Sequence, residues 1–310
     1  MQTKKIAILF NPSAGKGMAM RKKHKLEELL KKYDIPYDLF VTQSEEDLIK
    51  LTGETSKEYG VLVGAGGDST FNIIINEIFM RSADITFGMI GLGSSNDIVK
   101  EFGLDSLDKA CLALKRRRTK QVDLGTIEEH NFLLRLFLGQ ANVGLGVFVS
   151  KYVEGLASVG SRWAKHQLVA GFSAIYESFK SRKVPLTLRV ESARGDIHGR
   201  FILIAFNNIR YWASGRLLCP GAQVDDGRLD SCFIDDCSFW RLLRIASMAK
   251  KGKHIKADEV EIIQSSEFGV SADEAFEIQT DGEIVRRADS STDFRTAQFR
   301  ILPKALTIIY

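Results

Sequence analysis

The sequence lacks the features of a membrane-spanning, a secreted or a zinc-binding protein. No apolar run reaches the roughly 18–20 residues that a transmembrane helix needs, and the run Ile6–Phe10 is too short for a signal peptide. The four cysteines form no CxxC pair and show no metal-ligand spacing. We therefore expect reduced, mostly buried thiols in a cytoplasmic protein, one that contacts a membrane only from its surface.

Charge of either sign is not in large excess, and the net charge of +4 excludes no class of partner by itself. Two compact basic runs, residues 115–120 and 250–254, are more informative. Solvated helix ends and loops explain such runs, and contacts with anionic lipid headgroups or with nucleic acid are the alternatives.

The order of the apolar runs predicts two kinds of structure. Through about residue 120, short buried strands alternate with helical stretches, which is typical of a mostly parallel sheet with helices on its faces. After about Gln121, short strand-like runs are separated by turn residues, which predicts an antiparallel β domain, either a sandwich or a barrel. A chain of 310 residues, 45% of them apolar, is long enough for both.

Four polar segments stand out, and three of them directly follow predicted strands of the parallel sheet. Small residues let the backbone approach an anion, and a following helix terminus favours negative charge. Each segment alone is also explained as an ordinary turn, and Asp68 as a helix cap. Three such turns at one sheet edge, where α/β sheets bind ligands, indicate a phosphate site without Walker A spacing. The segments are residues 11–17, 64–72, 91–97 and 280–283.

As a set, these segments resemble the diacylglycerol kinase catalytic family, which includes bacterial lipid kinases and the sphingosine kinases. The family pattern is roughly NPxSG–K, GGDGT-x-NE, PLGTGND and a late DGE, and this chain has NPSAGKG, GGDSTFN, GLGSSND and DGE. Residues 142–146 and 219–230 resemble two further family segments, so the similarity spans nearly the whole chain.

The resemblance implies an α/β plus all-β fold. An NAD-kinase-like α/β nucleotide domain would span residues 1–124, with a strand at residues 292–310 returning to it. A β-sandwich lipid-substrate domain would span residues 125–291, and the active site would lie in the cleft between the two domains.

The resemblance also implies an ATP- and Mg²⁺-dependent lipid kinase, with diacylglycerol as the default substrate and phosphatidic acid as the product. The catalytic Mg²⁺ would be organised by Asp68, Asp97 and Glu283, and Glu283 would be the general base. A structural Mg²⁺ would lie at Gln223, Asp226 and Arg228, partly on backbone carbonyls. The nucleotide would be held by Asn11, Gly66, Gly67, Asp68, Thr70, Ser94 and Asn96.

Three positions depart from the family pattern. Ser69 and Ser95 replace glycines, and Ile73 replaces an acidic residue. These departures motivate an alternative, a degenerate member that binds nucleotide or lipid as a sensor without turnover. A soluble-substrate kinase similar to NAD kinases is a second alternative.

The predicted partners are a membrane lipid substrate and the membrane surface, which the protein would contact peripherally. We expect no nucleic-acid partner, and a homodimer is left open. The helical region at residues 149–183 is a candidate membrane contact, because aromatic and basic residues suit the interface of an anionic bilayer. Packing of its apolar side on the β domain is the alternative. Its aromatic and basic residues include Tyr152, Trp163, Tyr176, Lys151, Arg162, Lys165, Lys180, Arg182 and Lys183.

Overall fold

The computed structural model describes residues 5–158, 167–181, 184–193, 195–287 and 289–310. Five residues of the predicted membrane contact, Arg162, Trp163, Lys165, Arg182 and Lys183, lie outside the described residues. Within the described part of the chain, no helix is both long and apolar enough to cross a bilayer.

The first third of the chain forms a parallel sheet with helices on its faces, as predicted. The strand order is β2-β1-β3-β4, and every residue of β1 is buried because neighbouring strands and helices cover it on all sides. The elements are β1 (Ile6–Phe10), α1 (Met18–Lys32), β2 (Tyr37–Val41), α2 (Glu45–Thr55), β3 (Val61–Gly66), α3 (Asp68–Met80), β4 (Thr86–Gly91), α4 (Asp97–Glu101) and α5 (Leu107–Arg116).

The rest of the chain is dominated by antiparallel strands, with three helices among them. The elements are β5 (Thr119–Glu129), β6 (Phe132–Phe137), β7 (Gln140–Gly144), α6 (Leu145–Ser158), α7 (Gln167–Lys180), β8 (Leu186–Ser192), β9 (Gly195–Asn207), β10 (Tyr211–Trp212), β11 (Arg216–Leu217), β12 (Leu229–Asp235), α8 (Phe239–Ala249), a 3-10 helix (Lys253–Lys256), β13 (Val260–Ser265), β14 (Glu267–Phe276), β15 (Ile278–Thr280), β16 (Glu283–Ile284) and β17 (Phe294–Ile309).

The final strand, β17, connects the parallel and the antiparallel strands. It runs parallel to β4, with Thr307 beside Thr86, and antiparallel to β5 and β14. The hydrogen-bonded path therefore continues from β2 through β4 and β17 into β14, β8, β9 and β7. The division of the chain at residue 124 stays a prediction.

Strand β9 separates two apolar cores, because alternate side chains of a strand point to opposite faces. Ile204 and Phe206 pack in one core, where the Phe206 ring stacks on Phe299 with centroids 3.9 Å apart. Leu203 and Ala205 pack in the other, beneath α6 and α8. Burying each such large side chain contributes about 1.5–3 kcal/mol. The cysteines are free thiols, as predicted, and three of the four are buried.

Candidate active site

Three loops meet at one edge of the parallel sheet. β1, β3 and β4 lie side by side and end there. The Leu92 N–H donates to the Gly66 carbonyl at 2.7 Å, and the Asn11 N–H donates to the Ala65 carbonyl at 2.9 Å. The Asn11 side chain also donates to the Thr70 hydroxyl at 3.0 Å. These bonds hold the three loops together as one surface.

All three loops touch backbone to backbone, at positions where only glycine leaves enough room. A Cβ on Gly93 would lie 2.6 Å from the Cα of Gly67. A Cβ on Gly15, whose φ is +60°, would lie 2.6 Å from the Leu92 carbonyl oxygen. The small residues therefore close the loops on one another and leave an open cleft above them, where an anion can approach the backbone.

Asp68 joins two of these loops. It opens α3, but its carboxylate accepts hydrogen bonds from the N–H groups of Asp97 at 3.1 Å and Ile98 at 3.2 Å, at the start of α4. Burial raises its pKa to about 7, helped by the charges of Asp97 and Asp281 and opposed by those two donors. A cation at this position would relieve the repulsion among the carboxylates.

Asp97 ties the sheet edge to the β-rich half of the chain. Its buried carboxylate accepts the N–H groups of Ser214 at 2.9 Å and Gly215 at 2.7 Å, and Nζ of Lys100 at 3.3 Å. Ala213 and Ser214 have φ values of 47° and 70°, a conformation that costs a residue with a side chain about 1–2 kcal/mol. The charge-assisted bonds to Asp97 offset that cost and fix the turn against the cleft.

Asp281 lies deeper, where both halves of the chain meet. Its carboxylate accepts four hydrogen bonds, from the N–H groups of Leu138, Gly139 and Gln140 at 2.9–3.3 Å and from the Asn72 side chain at 3.2 Å. Burial raises its pKa, and the four donors oppose that shift. The Asp281 side chain therefore fixes the backbone of residues 138–140, where β7 begins beside the cleft.

Glu283, the predicted general base, lies two residues further on β16. Its backbone pairs with Thr280 across the hairpin, and its side chain is half-buried. The same segment lines the cleft with Asp281 and Gly282. The role of Glu283 stays a prediction. Sequence reasoning missed Asp281, although the DGE motif that pointed to Glu283 contains it.

Asn72 is a second buried residue that sequence reasoning did not place in the site. Its amide donates to the Leu136 carbonyl at 2.8 Å, and its Oδ1 accepts from Nε of Arg135 at 2.7 Å. It thereby bonds α3 to β6 beneath the cleft. Ile73, which stands where the family has an acidic residue, is only 8% exposed and packs in the apolar core. Its hydrophobic character is therefore explained by packing.

The predicted nucleotide contacts fall into two groups. Gly66 and Asn96 do not line the cleft among the residues that the structure describes. The others line the cleft, which has a volume of about 520 Å³. Their contacts with a nucleotide stay predictions. The lining members are Asn11, Gly67, Asp68, Thr70 and Ser94.

The predicted catalytic metal would depend on the carboxylates of the cleft. Among the residues that the structure describes, no group of three or more His, Cys, Asp and Glu is close enough to hold one ion. The adjacent carboxylates of Asp68 and Asp97 nevertheless fit Mg²⁺, which usually takes one or two protein carboxylates together with waters and phosphates. The set Asp68, Asp97 and Glu283 therefore stays a prediction.

The loop predicted to hold a structural Mg²⁺ is anchored by an aspartate that sequence reasoning missed. Fully buried Asp123 of β5 accepts the Gly227 N–H at 2.7 Å, and the Asp226 carboxylate accepts the Arg228 N–H at 3.0 Å. Burial raises the pKa of Asp226, and the Asp123 charge adds to the shift. Gln223 lies on the same loop, and the metal site itself stays a prediction. A single acid in an apolar strand gave no motif by which to find Asp123.

An apolar cavity of about 620 Å³ adjoins the cleft. Five residues line both spaces, so a polar and an apolar space lie side by side. Helices α6, α7 and α8 form part of the apolar wall, and β9 and β12 contribute Leu203 and Ile234. The shared residues are Ser95, Val149, Ser150, Trp212 and Ala213.

Comparison with protein-family models gives two matches. The model of the diacylglycerol kinase catalytic domain matches residues 5–127. The model of the YegS C-terminal NAD kinase beta sandwich-like domain matches residues 142–310, more than half of the chain. The predicted fold class, an α/β half followed by a β-sandwich, is therefore confirmed.

Individual relatives agree with these models. The chain is 27% identical over 259 residues to a diacylglycerol kinase of Mycobacterium tuberculosis (strain ATCC 25618 / H37Rv), covering 83% of this chain and 81% of that protein. It is 22% identical over 289 residues to one of Bacillus subtilis (strain 168), covering 90% of each. A solved diacylglycerol kinase structure from Bacillus anthracis str. Sterne gives a TM-score of 0.71 at 16% identity, covering 100% of this chain and 98% of that one. This structural likeness shows the fold alone.

Proposed function

The chain belongs to the diacylglycerol kinase catalytic family and is a lipid kinase, and on that premise we propose that it transfers the γ-phosphoryl group of ATP to the hydroxyl of diacylglycerol. The observation that carries the proposal is that a carboxylate-lined cleft directly adjoins an apolar cavity and shares five wall residues with it. A phosphoryl donor needs the first, and the acyl chains of the acceptor need the second.

The polar end would hold the nucleotide. The close-packed loops leave their small residues open to the phosphates, with Thr70 and Ser94 among the lining hydroxyl groups. Asp68 and Asp97 would organise Mg²⁺, directly or through water, and the ion would neutralise charge on the transferring phosphoryl group.

Two carboxylates are candidates for accepting the proton of the lipid hydroxyl. Glu283 remains our proposed general base, since it ends the family's DGE motif. Asp68, whose pKa is raised to about 7 without a metal, is a candidate only where Mg²⁺ does not bind it, because a bound cation would lower that pKa.

The alternatives gain little support from the local structure. Ser69 lies in the first turn of α3, where a helical backbone accepts a side chain, and Ile73 packs in the core. The Ser95 hydroxyl lies 3.2 Å from that of Ser214, where it joins the wall of the cleft. None of the three departures disturbs the carboxylates, which favours turnover over a sensor. The apolar cavity favours a lipid over a soluble substrate such as NAD.

We further propose that the loop with Gln223, Asp226 and Arg228 holds a structural Mg²⁺, because its carboxylate lies beside the buried charge of Asp123. We also keep the division of the chain into a nucleotide unit at residues 1–124 and a lipid-substrate unit at residues 125–291, with residues 292–310 returning to the first.

The test is transfer of labelled phosphate from ATP and Mg²⁺ to lipids in mixed micelles, with NAD in a parallel reaction. The lipids are diacylglycerol, ceramide, sphingosine, undecaprenol and phosphatidylglycerol. We expect labelled phosphatidic acid, lowered about 100-fold or more in Asp68→Ala and in Glu283→Ala. Glu274→Ala, at an exposed position of β14, is the matched control. No labelled lipid despite nucleotide binding would favour the sensor, and labelled NADP would favour the soluble-substrate kinase.

A further inference from the structure

Helix α8 and the turn after it concentrate positive charge around the apolar cavity, which Lys250 itself helps to line. Residues 239–258 contain six lysines and arginines but a single acidic residue, Asp258. Arg241 is partly offset by an ion pair with Glu259, and the other basic residues add to the exposed charge. The six basic side chains, all exposed, are Arg241, Arg244, Lys250, Lys251, Lys253 and Lys256.

An aromatic cluster lies beside this charge, where α7 and α8 meet. Trp240 is 75% exposed and Tyr176 is 54% exposed. The Phe239 ring lies between them, edge-on to Tyr176 at 6.0 Å and to Trp240 at 5.3 Å. Tryptophan and tyrosine side chains suit the headgroup level of a bilayer, where one part of the ring is apolar and the other is wet.

The opposite side of α8 explains why the helix presents this face outward. Its residues 242, 243, 245 and 246 all line the cavity, and Leu242 and Ile245 among them are buried in the apolar core. The helix is therefore a wall that has the lipid-sized cavity on one side and the basic, aromatic surface on the other.

We propose that α8, the turn at residues 250–256 and the Tyr176–Phe239–Trp240 cluster form the surface that docks on an anionic phospholipid bilayer. The proposal rests on the proposed function, because a cavity walled by α7 and α8 would then receive its lipid directly from the bilayer. The positive charge of this surface favours an anionic bilayer as its partner, because each lysine or arginine near an anionic surface strengthens binding. Aromatic rings that insert into the bilayer add apolar contact. A second copy of the same face would bring like charges together.

Vesicle binding without nucleotide tests the surface independently of turnover. We expect the protein to cosediment with vesicles of 70% phosphatidylcholine and 30% phosphatidylglycerol, and to stay in the supernatant with phosphatidylcholine alone. Binding should weaken with added salt. Lys251→Glu with Lys253→Glu should weaken partitioning about 25-fold or more, at about fivefold for each basic residue lost. Arg116→Glu with Arg118→Glu, in the other basic run, is the matched control and should bind as the wild type does.

The variant Trp240→Phe tests insertion of the tryptophan ring into the bilayer separately from the attraction of the basic residues. We expect a blue shift of tryptophan emission on adding anionic vesicles, and its loss in Trp240→Phe. Phe132→Ala, at an aromatic position that is 74% exposed on β6, should leave vesicle binding unchanged. Kinase activity toward a dispersed short-chain lipid should survive in the Lys251 and Lys253 double variant, while activity on bilayer substrate falls.

Two outcomes would overturn the docking surface: wild-type protein that ignores anionic vesicles, or equal loss of binding in the Arg116 and Arg118 control. Dimerisation in solution that disappears in Trp240→Phe, without vesicle binding, would assign the face to a second copy instead. If vesicles bind as expected but no lipid is phosphorylated, the docking surface stands and the proposed function fails.

Discussion

The cleft and the apolar cavity share five wall residues, yet they are built by opposite means. In the cleft, backbone hydrogen bonds and three buried or half-buried carboxylates fix each loop in place. In the cavity, side chains from three helices and the sandwich strands supply an apolar surface. Directional hydrogen bonds therefore position the carboxylates of the cleft. Lipid binding in the cavity depends instead on the shape and the apolar area of its wall. Substitutions should therefore separate the two.

The largest separation is expected from filling the cavity. Ala246→Trp places a large ring among the residues that line it. If that ring displaces about four methylenes of an acyl chain, at about 0.8 kcal/mol each, kcat/KM for a long-chain lipid should fall about 200-fold. Nucleotide affinity should not change, and Ala246→Ser serves as the conservative control. An equal loss of nucleotide binding would mean that the two ends do not act separately.

The next effect tests the directional bonds of the cleft. Asp281→Asn keeps the side-chain shape but turns an NH₂ group toward backbone donors, so buried N–H groups lose their acceptor. We expect a loss of about 2–3 kcal/mol in the free energy of unfolding, measured by denaturant titration. Asp273→Asn, at an exposed position of β14, should change it little. Unaltered stability of Asp281→Asn would show that these four bonds contribute nothing net.

A smaller effect should appear in the pH dependence of stability without divalent cations. The Asp68 pKa is raised from 3.8 to about 7 in the folded protein, so the folded state binds this proton more tightly than the unfolded state. The resulting stabilisation is fully present below about pH 4 and is lost as the pH rises through 7. We expect the wild type to lose about 1–2 kcal/mol more than Asp68→Asn between pH 6 and pH 8.

Adding Mg²⁺ sharpens that measurement, because a cation beside Asp68 would stabilise its ionised form. The additional loss of unfolding free energy that the wild type shows at pH 8 should then become smaller. The stability of Asp68→Asn should change less on adding Mg²⁺. Identical pH profiles for the two proteins would contradict the raised pKa of Asp68.

The sequence predicted more residues of the cleft than of the cavity, and the reason is physical. Loops after parallel strands are short and local in sequence, so the edge shared by Gly67 and Gly93 could be expected from strand order alone. Asp281 and Asn72 were not placed there, because the bond between them joins residues 209 apart and the other bonds of Asp281 reach back 141–143 residues. Asp123 likewise carries no local pattern. The cavity wall formed by α8 was not predicted, because the residues that complete this cavity come from segments far away in the sequence.

The smallest effect concerns Ser69, where the family pattern has glycine. From the sequence, restoring the glycine should raise nucleotide affinity if the serine is a handicap. In the structure, Ser69 lies in the first turn of α3, and its backbone needs no glycine. We therefore expect Ser69→Gly to leave nucleotide affinity within about twofold and to lower stability by about 0.5–1 kcal/mol, the usual cost of glycine in a helix. Isothermal titration and thermal unfolding measure both. A large gain in affinity would mean that the serine side chain narrows the cleft, and that the polar end, like the apolar one, is limited by shape.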